Sequence, residues 1–247
     1  MGNQWRPGRG AIGLEEILIN LYGYGGALAM GTLGTIKIMM MALILGLVSG
    51  MAGAGAKLSG IRILGWATDL WTIIIRGIPE LILVLFVYFG GSTVIHRIAG
   101  IFGYDVYLEI NPLVAAVFTL GLVYGAYATD VFRVSILAVA KGELEAAKAM
   151  GMGPFKVFSR ILFPQIWRYA LPGLGNLFMI LQKDTALVSV IGLNELMRNA
   201  SAAVAATRKP FTFYITASLI YLGITTITTL ALHFMEKRAN RGVGRPS

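Results

Sequence analysis

The sequence predicts an all-α integral membrane protein with five transmembrane helices. Its 247 residues are 56% hydrophobic and only 13% charged, whereas soluble domains carry about 25% charged residues. Five apolar segments are each close to the ~20 residues that cross a bilayer as a helix, and most charged residues lie between them. Together these observations indicate one compact, polytopic domain.

The amino-terminal region is predicted to form a tail and an interfacial helix over residues 1–26. Glu15 and Glu16 interrupt the apolar run that a signal peptide would need. The transmembrane domain then covers residues 27–236, and its first span is residues 27–56, with a single lysine. Small residues recur along this span and allow close helix packing.

The second apolar region, residues 63–95, is too long for one straight span. Ile78 precedes Pro79 and is therefore pushed away from helical backbone, so we expect a helix to about Arg76, a break, and a span over residues 80–95. Glu80 begins that span. It either lines a polar path or lies at a helix start because the helix dipole favours an anion there.

The third and fourth spans, residues 112–138 and 171–193, carry charges at membrane depth. In the third, Asp130 and Arg133 are three residues apart and can pair on one helix face near the cytoplasmic end of the span. The fourth contains polar side chains throughout: Asn176, Gln182, Lys183, Asp184, Thr185 and Ser189. Ionisable groups in a bilayer are costly, so they face protein or a water-filled path and are candidates for function.

Asp184 has two interpretations. It either pairs with a cation on another helix, such as Lys37 or Arg76, or it lines a path and attracts a cationic substrate group. The fifth span is residues 210–235, and residues 237–247 form a basic tail.

Motifs for other functions are lacking. The net charge is +9, but the basic residues lie between apolar segments, so nucleic-acid binding is not predicted. Residues 53–60, GAGAKLSG, lack the Gly-Lys-Ser/Thr of a phosphate loop. His96 and His233 have no second ligand at chelating spacing, and the chain has no cysteine, so no metal site is predicted.

A charged amphipathic stretch, residues 143–164, separates the third and fourth spans; we call it the coupling segment. Its first part is rich in Ala, Glu and Lys, which favour helix. Gly151, Gly153 and Pro154 predict a break, because Gly tolerates positive φ and Pro cannot continue a helix. A second helical run follows, and Pro164 is expected to end or redirect it.

The coupling segment resembles the "EAA" signature of ABC importer permeases. That pattern has Glu-Ala-Ala, three residues, Gly, nine residues, and Ile-x-Leu/Phe-Pro. Every fixed position is met here, by Glu145, Ala146, Ala147, Gly151, Ile161 and Pro164 among others. The resemblance implies that these residues form a cytoplasmic coupling helix that docks into a cleft of an ATP-binding subunit.

Other stretches, RGIPEL, LGLVYGAYATDVFR, RYALPGLGN and TALVS, resemble permeases for polar amino acids. They are most similar to the histidine/lysine/arginine/ornithine and opine permeases. The resemblance implies a type I ABC importer permease fold and import of polar, basic amino acids or opines across the inner membrane. The candidate substrate-path residues are Glu80, Asn176, Gln182, Lys183, Asp184 and Thr185.

The same resemblance implies a set of partners. These are a second permease subunit (a heterodimer is favoured), two ABC ATPase subunits, a periplasmic substrate-binding protein and membrane lipid. ATP is bound by the ATPase subunits, so this chain needs no cofactor and is not an enzyme. The competing class is a secondary transporter or channel that uses Asp130, Asp184 or Glu80. Five spans with no detectable inverted repeat argue against that class.

Charge bias predicts the orientation of the chain. With the amino terminus outside, the cytoplasmic segments hold eleven basic residues and the outer segments six. The positive-inside rule favours this arrangement. It places the carboxyl terminus and the coupling segment in the cytoplasm.

Overall fold

The computed structural model describes residues 14–104 and 109–240, and this part of the chain is helical without a β-strand. Its ten α-helices are α1 (Leu14–Leu58), α2 (Arg62–Gly77), α3 (Glu80–Leu85), α4 (Gly91–Ile101), α5 (Pro112–Leu137), α6 (Lys141–Ala149), α7 (Pro154–Val157), α8 (Phe163–Asp184), α9 (Leu196–Thr207) and α10 (Pro210–Ala239). Two π-helical turns, Phe86–Gly90 and Phe158–Leu162, and a 3₁₀ stretch, Thr185–Ile191, connect some of them.

Five helical segments are long and apolar enough to cross a membrane, which confirms the predicted fold class. They are Gly23–Leu58, Glu80–Ile101, Pro112–Leu137, Pro154–Ile191 and Pro210–Ala239. Because α1 begins at Leu14, no break separates the predicted interfacial helix from the first span. Residues 1–13 and 241–247, which include most of the predicted tails, lie outside the described residues.

The start of the fourth span corrects a prediction. Pro164 was expected to end or redirect a helix, yet the chain remains helical from Pro154 through the π turn into α8, and the span begins well before residue 171. Pro164 lies in the first turn of α8. The π-helical turn Phe158–Leu162 directly before it already departs from the regular i→i−4 hydrogen bonds, so the helix continues although proline contributes no N–H.

The core of the bundle is the contact between α1 and α5. Glycines on both helices let their backbones approach closely. A Cβ on Gly125 would lie 2.0 Å from Ser49 Oγ, and one on Gly46 would lie 2.2 Å from Tyr124 Cδ1. Helices in lipid gain little from the hydrophobic effect. Close van der Waals packing at small residues stabilises their contact instead. The close contact brings α5, which carries much of the candidate site, against the longest helix.

Helix α2 has its polar side turned towards the bundle. Thr68 and Thr72 are buried, whereas Ile63, Trp66 and Ile73 are among its exposed residues. An apolar outer face suits a lipid environment. The helix ends at Gly77, and Ile78 is extended (φ −109°, ψ 132°) before Pro79, which confirms the predicted break.

Candidate substrate cavity and coupling surface

Two carboxylates from different spans line one cavity of about 140 Å³. Glu80 comes from the first turn of α3 and Asp184 from the end of α8. The remaining wall is apolar and aromatic: Leu120, Val123, Tyr124, Tyr127, Leu177, Ile180 and Leu181. Ligand pockets for drug-sized molecules are about 300–1,000 Å³, so this cavity is suited to the end of a side chain.

Local backbone features position both acids. The Ile78–Pro79 break ends α2 and starts α3 afresh, which puts Glu80 at a helix amino terminus inside the bundle. Asp184 lies where α8 changes to 3₁₀ helix, a turn braced by Thr185 Oγ1, which donates to the Gln182 carbonyl at 2.6 Å. Tyr124 is held by donating to the Leu174 carbonyl at 3.2 Å.

The charge arrangement of the cavity favours a cation. Two like charges beside one small space repel, and a cation between them relieves that repulsion. Among the described residues, no salt bridge joins Asp184 to a lysine or arginine. Pairing of Asp184 with Arg76 is not observed because Arg76 pairs with Asp130 instead, and Lys37 is exposed.

The other four candidate path residues do not line this cavity. Asn176 and Lys183 are exposed on the outside of α8. Gln182 is fully buried and points to α10, where its amide donates to Thr225 Oγ1 at 2.9 Å and to the Tyr221 carbonyl at 3.0 Å. Successive helical residues point about 100° apart, so the neighbours of Asp184 in sequence face the outer surface of this chain or another helix.

The coupling segment has the predicted helix–break–helix geometry. Gly151 has φ +75°, its N–H donates to the Lys148 carbonyl at 2.9 Å, and the next N–H, of Met152, donates to the Ala147 carbonyl at 3.2 Å. These bonds satisfy the last carbonyls of α6 and turn the chain, as in a helix carboxyl-terminal cap. Glu143 accepts a close hydrogen bond from Gln165, which ties α6 to α8.

The outer surface of the coupling segment combines small, charged and large apolar residues. Glu145 and Ala146 are exposed, whereas Ala147 is buried. Ile161 is half-buried, and Pro164 is exposed at the start of α8. Two residues missed in the sequence, Met150 and Phe155, are 74% and 79% exposed. The sequence contains a signal for both, because a large apolar residue within a charged segment beside the glycine break is a candidate contact residue.

The predicted pair of Asp130 and Arg133 is wrong. Asp130 accepts from Arg76 of α2 and lies 3.2 Å from Lys57 Nζ of α1, whose other partner is Asp69 at 2.9 Å. We call Lys57, Asp69, Arg76 and Asp130 the ion-pair cluster. Cations on neighbouring helices reach Asp130 because α1, α2 and α5 pack together, a contact that spacing along one helix cannot reveal.

A buried acid at the other end of the bundle has a structural role. Glu195 is fully buried and caps α9, accepting from the Met197 N–H at 2.8 Å and the Arg198 N–H at 2.6 Å. Thr35 and Tyr221 also donate to it. Burial raises the pKa of Glu195, and these four hydrogen bonds oppose the rise. In the described part of the chain, no group of three His, Asp or Glu could hold a metal ion.

Five spans, a carboxylate-lined cavity between them and a charged helix–turn–helix beside them define a multi-pass transport protein. The chain belongs to the family of binding-protein-dependent transport system inner membrane components, which it matches over residues 42–241. It is therefore an ABC importer permease of the bacterial inner membrane. Such a permease works with ATPase and binding-protein partners, and the ATPase handles ATP.

Named relatives and a solved structure support this assignment. The chain is 44% identical to the nopaline transport system permease protein NocQ of Agrobacterium fabrum, over 90% of this chain and 94% of that protein. It is 40% identical to the histidine/lysine/arginine/ornithine permease HisQ of Escherichia coli, over 91% and 98%.

A crystal structure of an amino acid ABC transporter with histidines is 30% identical, with a TM-score of 0.74 over 89% of this chain and 97% of that one. The family is one of transport permeases rather than an enzyme class. Membership of this family rules out the alternative class, a stand-alone secondary transporter or channel.

Proposed function

We propose that this permease subunit carries cationic amino acids or opines, and that Glu80 and Asp184 hold the cationic group of the substrate. The observation that carries the proposal is the cavity with two carboxylates and no salt bridge to Asp184 among the described residues. The relatives named for histidine, lysine, arginine, ornithine and nopaline support it.

The pathway is alternating access driven by the partner ATPases. The amino terminus lies outside and the carboxyl terminus in the cytoplasm, so the coupling segment faces the ATPase. Glu145, Ala146, Ala147 and Gly151 contact that subunit, with Met150 and Phe155 adding exposed apolar area. Closure of the ATPase dimer moves the coupling segments together and opens the path outward. The second permease subunit is a related chain rather than an identical one.

Uptake measurements test the substrate site. Asp184→Asn and Glu80→Gln keep the shape and remove one charge, so each should reduce arginine or lysine uptake more than uptake of a neutral amino acid. Losing a buried charge contact costs about 2–5 kcal/mol, or at least about tenfold in uptake. Lys183→Gln is the matched control, because it removes an adjacent charge that is exposed.

Equal losses for cationic and neutral substrates would mean that Asp184 is structural. Unchanged arginine uptake would remove Asp184 from the path. Orientation is tested separately with a reporter fused after Ser247, which should be active only as a cytoplasmic tag. Activity of a periplasm-only reporter there would overturn the orientation and the position of the coupling segment.

A further inference from the structure

The ion-pair cluster joins three helices with balanced charge. Lys57 Nζ bridges Asp69 Oδ1 at 2.9 Å and Asp130 Oδ1 at 3.2 Å, and Arg76 donates to the second oxygen of Asp130. Two cations and two anions leave the cluster neutral. It therefore holds α1, α2 and α5 together without a net charge at the bundle surface.

The ion-pair cluster lies near the end of the bundle that leads into the coupling segment, because Lys57 is in the last turn of α1. Asp130 is seven residues before Leu137, the end of α5, which is about 10 Å at 1.5 Å per residue. The Lys57 side chain is only 12% exposed. An enclosed charge is costly unless it is paired, and Lys57 is paired with both carboxylates of the cluster.

The ion-pair cluster shares a wall with the candidate substrate cavity. The guanidinium of Arg76 lies 4.8 Å from the ring centroid of Tyr127, which lines the cavity. Asp130 follows Tyr127 by three residues, so it lies about one helical turn nearer the coupling segment. Arg76 precedes Glu80 by four residues, across the Ile78–Pro79 break. Arg76 and its partner Asp130 therefore lie beside the cavity wall, on the side of the coupling segment.

We propose that the ion-pair cluster closes the cavity on the side of the coupling segment, and that the cationic group of the substrate opens it by displacing Arg76 from Asp130. The second half of this inference rests on the proposed substrate class. A guanidinium or ammonium can replace Arg76 at Asp130 with no change in net charge. A neutral substrate cannot, so the ion-pair cluster also selects among substrates.

The two cations of the ion-pair cluster differ in exposure, and the proposed exchange requires such a difference. Arg76 is near the carboxyl end of α2 beside the break, and its side chain is 38% exposed, so it can move. Lys57 lies between two carboxylates and is almost enclosed. Arg76 is therefore the moving partner, and Lys57 keeps Asp130 in place.

Cysteine labelling of the assembled importer tests the closure. The chain has no cysteine, so Val123→Cys in the cavity wall gives a single reporter on this subunit. Inside-out membrane vesicles are treated with a membrane-impermeant maleimide, which reaches the reporter only from the cytoplasmic side. Ser159→Cys, at an exposed position of the coupling segment, is the accessible reference.

Arg76→Gln and Asp130→Asn should each increase the labelling rate of the Val123→Cys reporter. We expect about tenfold, since losing a charged hydrogen bond shifts an equilibrium by about that factor. Arg76→Lys keeps the charge and should stay slow. Arg62→Gln, an exposed arginine of the same helix, is the matched control and should also stay slow. Unchanged labelling in both Arg76→Gln and Asp130→Asn would overturn the closure.

The displacement step is tested with vesicles that contain the binding protein and either arginine or its neutral isostere citrulline. Arginine should increase the labelling rate of the reporter and citrulline should not. Equal rates with the two ligands would overturn displacement, even if the closure holds. The uptake ratios of Asp184→Asn and Glu80→Gln test the proposed substrate site independently, so failure of one idea is distinguishable from failure of the other.

Discussion

The coupling segment and the candidate substrate cavity present opposite kinds of site. The coupling segment is one continuous stretch, residues 143–164, most of which is exposed. The cavity is assembled from α3, α5 and α8, and its two carboxylates are separated in sequence by about half of the transmembrane domain. The coupling segment depends on local backbone geometry, and its side chains face outward. The candidate substrate cavity depends on how three helices pack.

This difference decides how each site responds to mutation. A partner surface on a short helix–turn–helix needs few contacts with the rest of the chain, so damage there should leave folding intact. A cavity between packed helices is lost when the helices move apart. Substitutions of similar size should therefore separate loss of coupling from loss of fold.

The largest effect is expected from Gly125→Val, at the crossing of α1 and α5 behind the cavity. The new Cβ would lie 2.0 Å from Ser49 Oγ and 3.2 Å from the Gly46 carbonyl oxygen, so the helices must separate. Overpacking costs about 1–3 kcal/mol or more. The amount of protein in the membrane and its melting temperature in detergent should fall. Gly65→Val, which has open space around it, is the control; equal loss in both would contradict close packing as the cause.

The next effect is expected from Gly151→Val in the coupling segment. At φ +75° a β-branched side chain strains the backbone by about 1–3 kcal/mol. The turn should be lost, and transport-linked ATP hydrolysis should fall at least about tenfold while membrane insertion survives. Gly153→Val is the matched control, because φ there is −66° and the position is open. Wild-type stimulated hydrolysis in a purified Gly151→Val complex would show that this turn does not couple the subunits.

The smallest effect is expected from Gln182→Leu, two residues from Asp184. It removes two hydrogen bonds to α10, each worth about 1 kcal/mol net. The melting temperature should fall slightly, and the uptake ratio of arginine to a neutral amino acid should not change. Asp184→Asn should give the reverse pattern. A changed uptake ratio in Gln182→Leu would place the Gln182 amide in the substrate path. It would contradict the assignment of Gln182 to packing and of Asp184 to substrate binding.

Prediction from the sequence succeeded where the physical cause was local. The break at Ile78–Pro79 and the turn at Gly151 follow from the backbone preferences of proline and glycine, and both occur. Prediction failed where several causes compete. The sequence predicts that Pro164 ends or redirects a helix, but Pro164 follows the π-helical turn Phe158–Leu162, which interrupts the regular hydrogen bonds and lets the helix continue.

Prediction from the sequence also failed for the choice of ion-pair partners. Asp130 could be paired with Arg133 because only spacing on one helix was known, whereas the folded chain supplies Arg76 and Lys57 from two other helices. Likewise, six polar residues of one span could not be divided by function. The structure separates Asp184, in the cavity wall, from Gln182, buried against α10, and from Lys183 on the exposed side.

The class of protein, the number of spans and the form of the coupling segment were determined by the sequence alone, because length, hydropathy and backbone propensity act within a few neighbouring residues. The meeting of Glu80 with Asp184, and of Arg76 with Asp130, was decided only by tertiary structure. Packing between the helices sets the rotation and depth of each one, and those two quantities determine which charges face each other across the bundle.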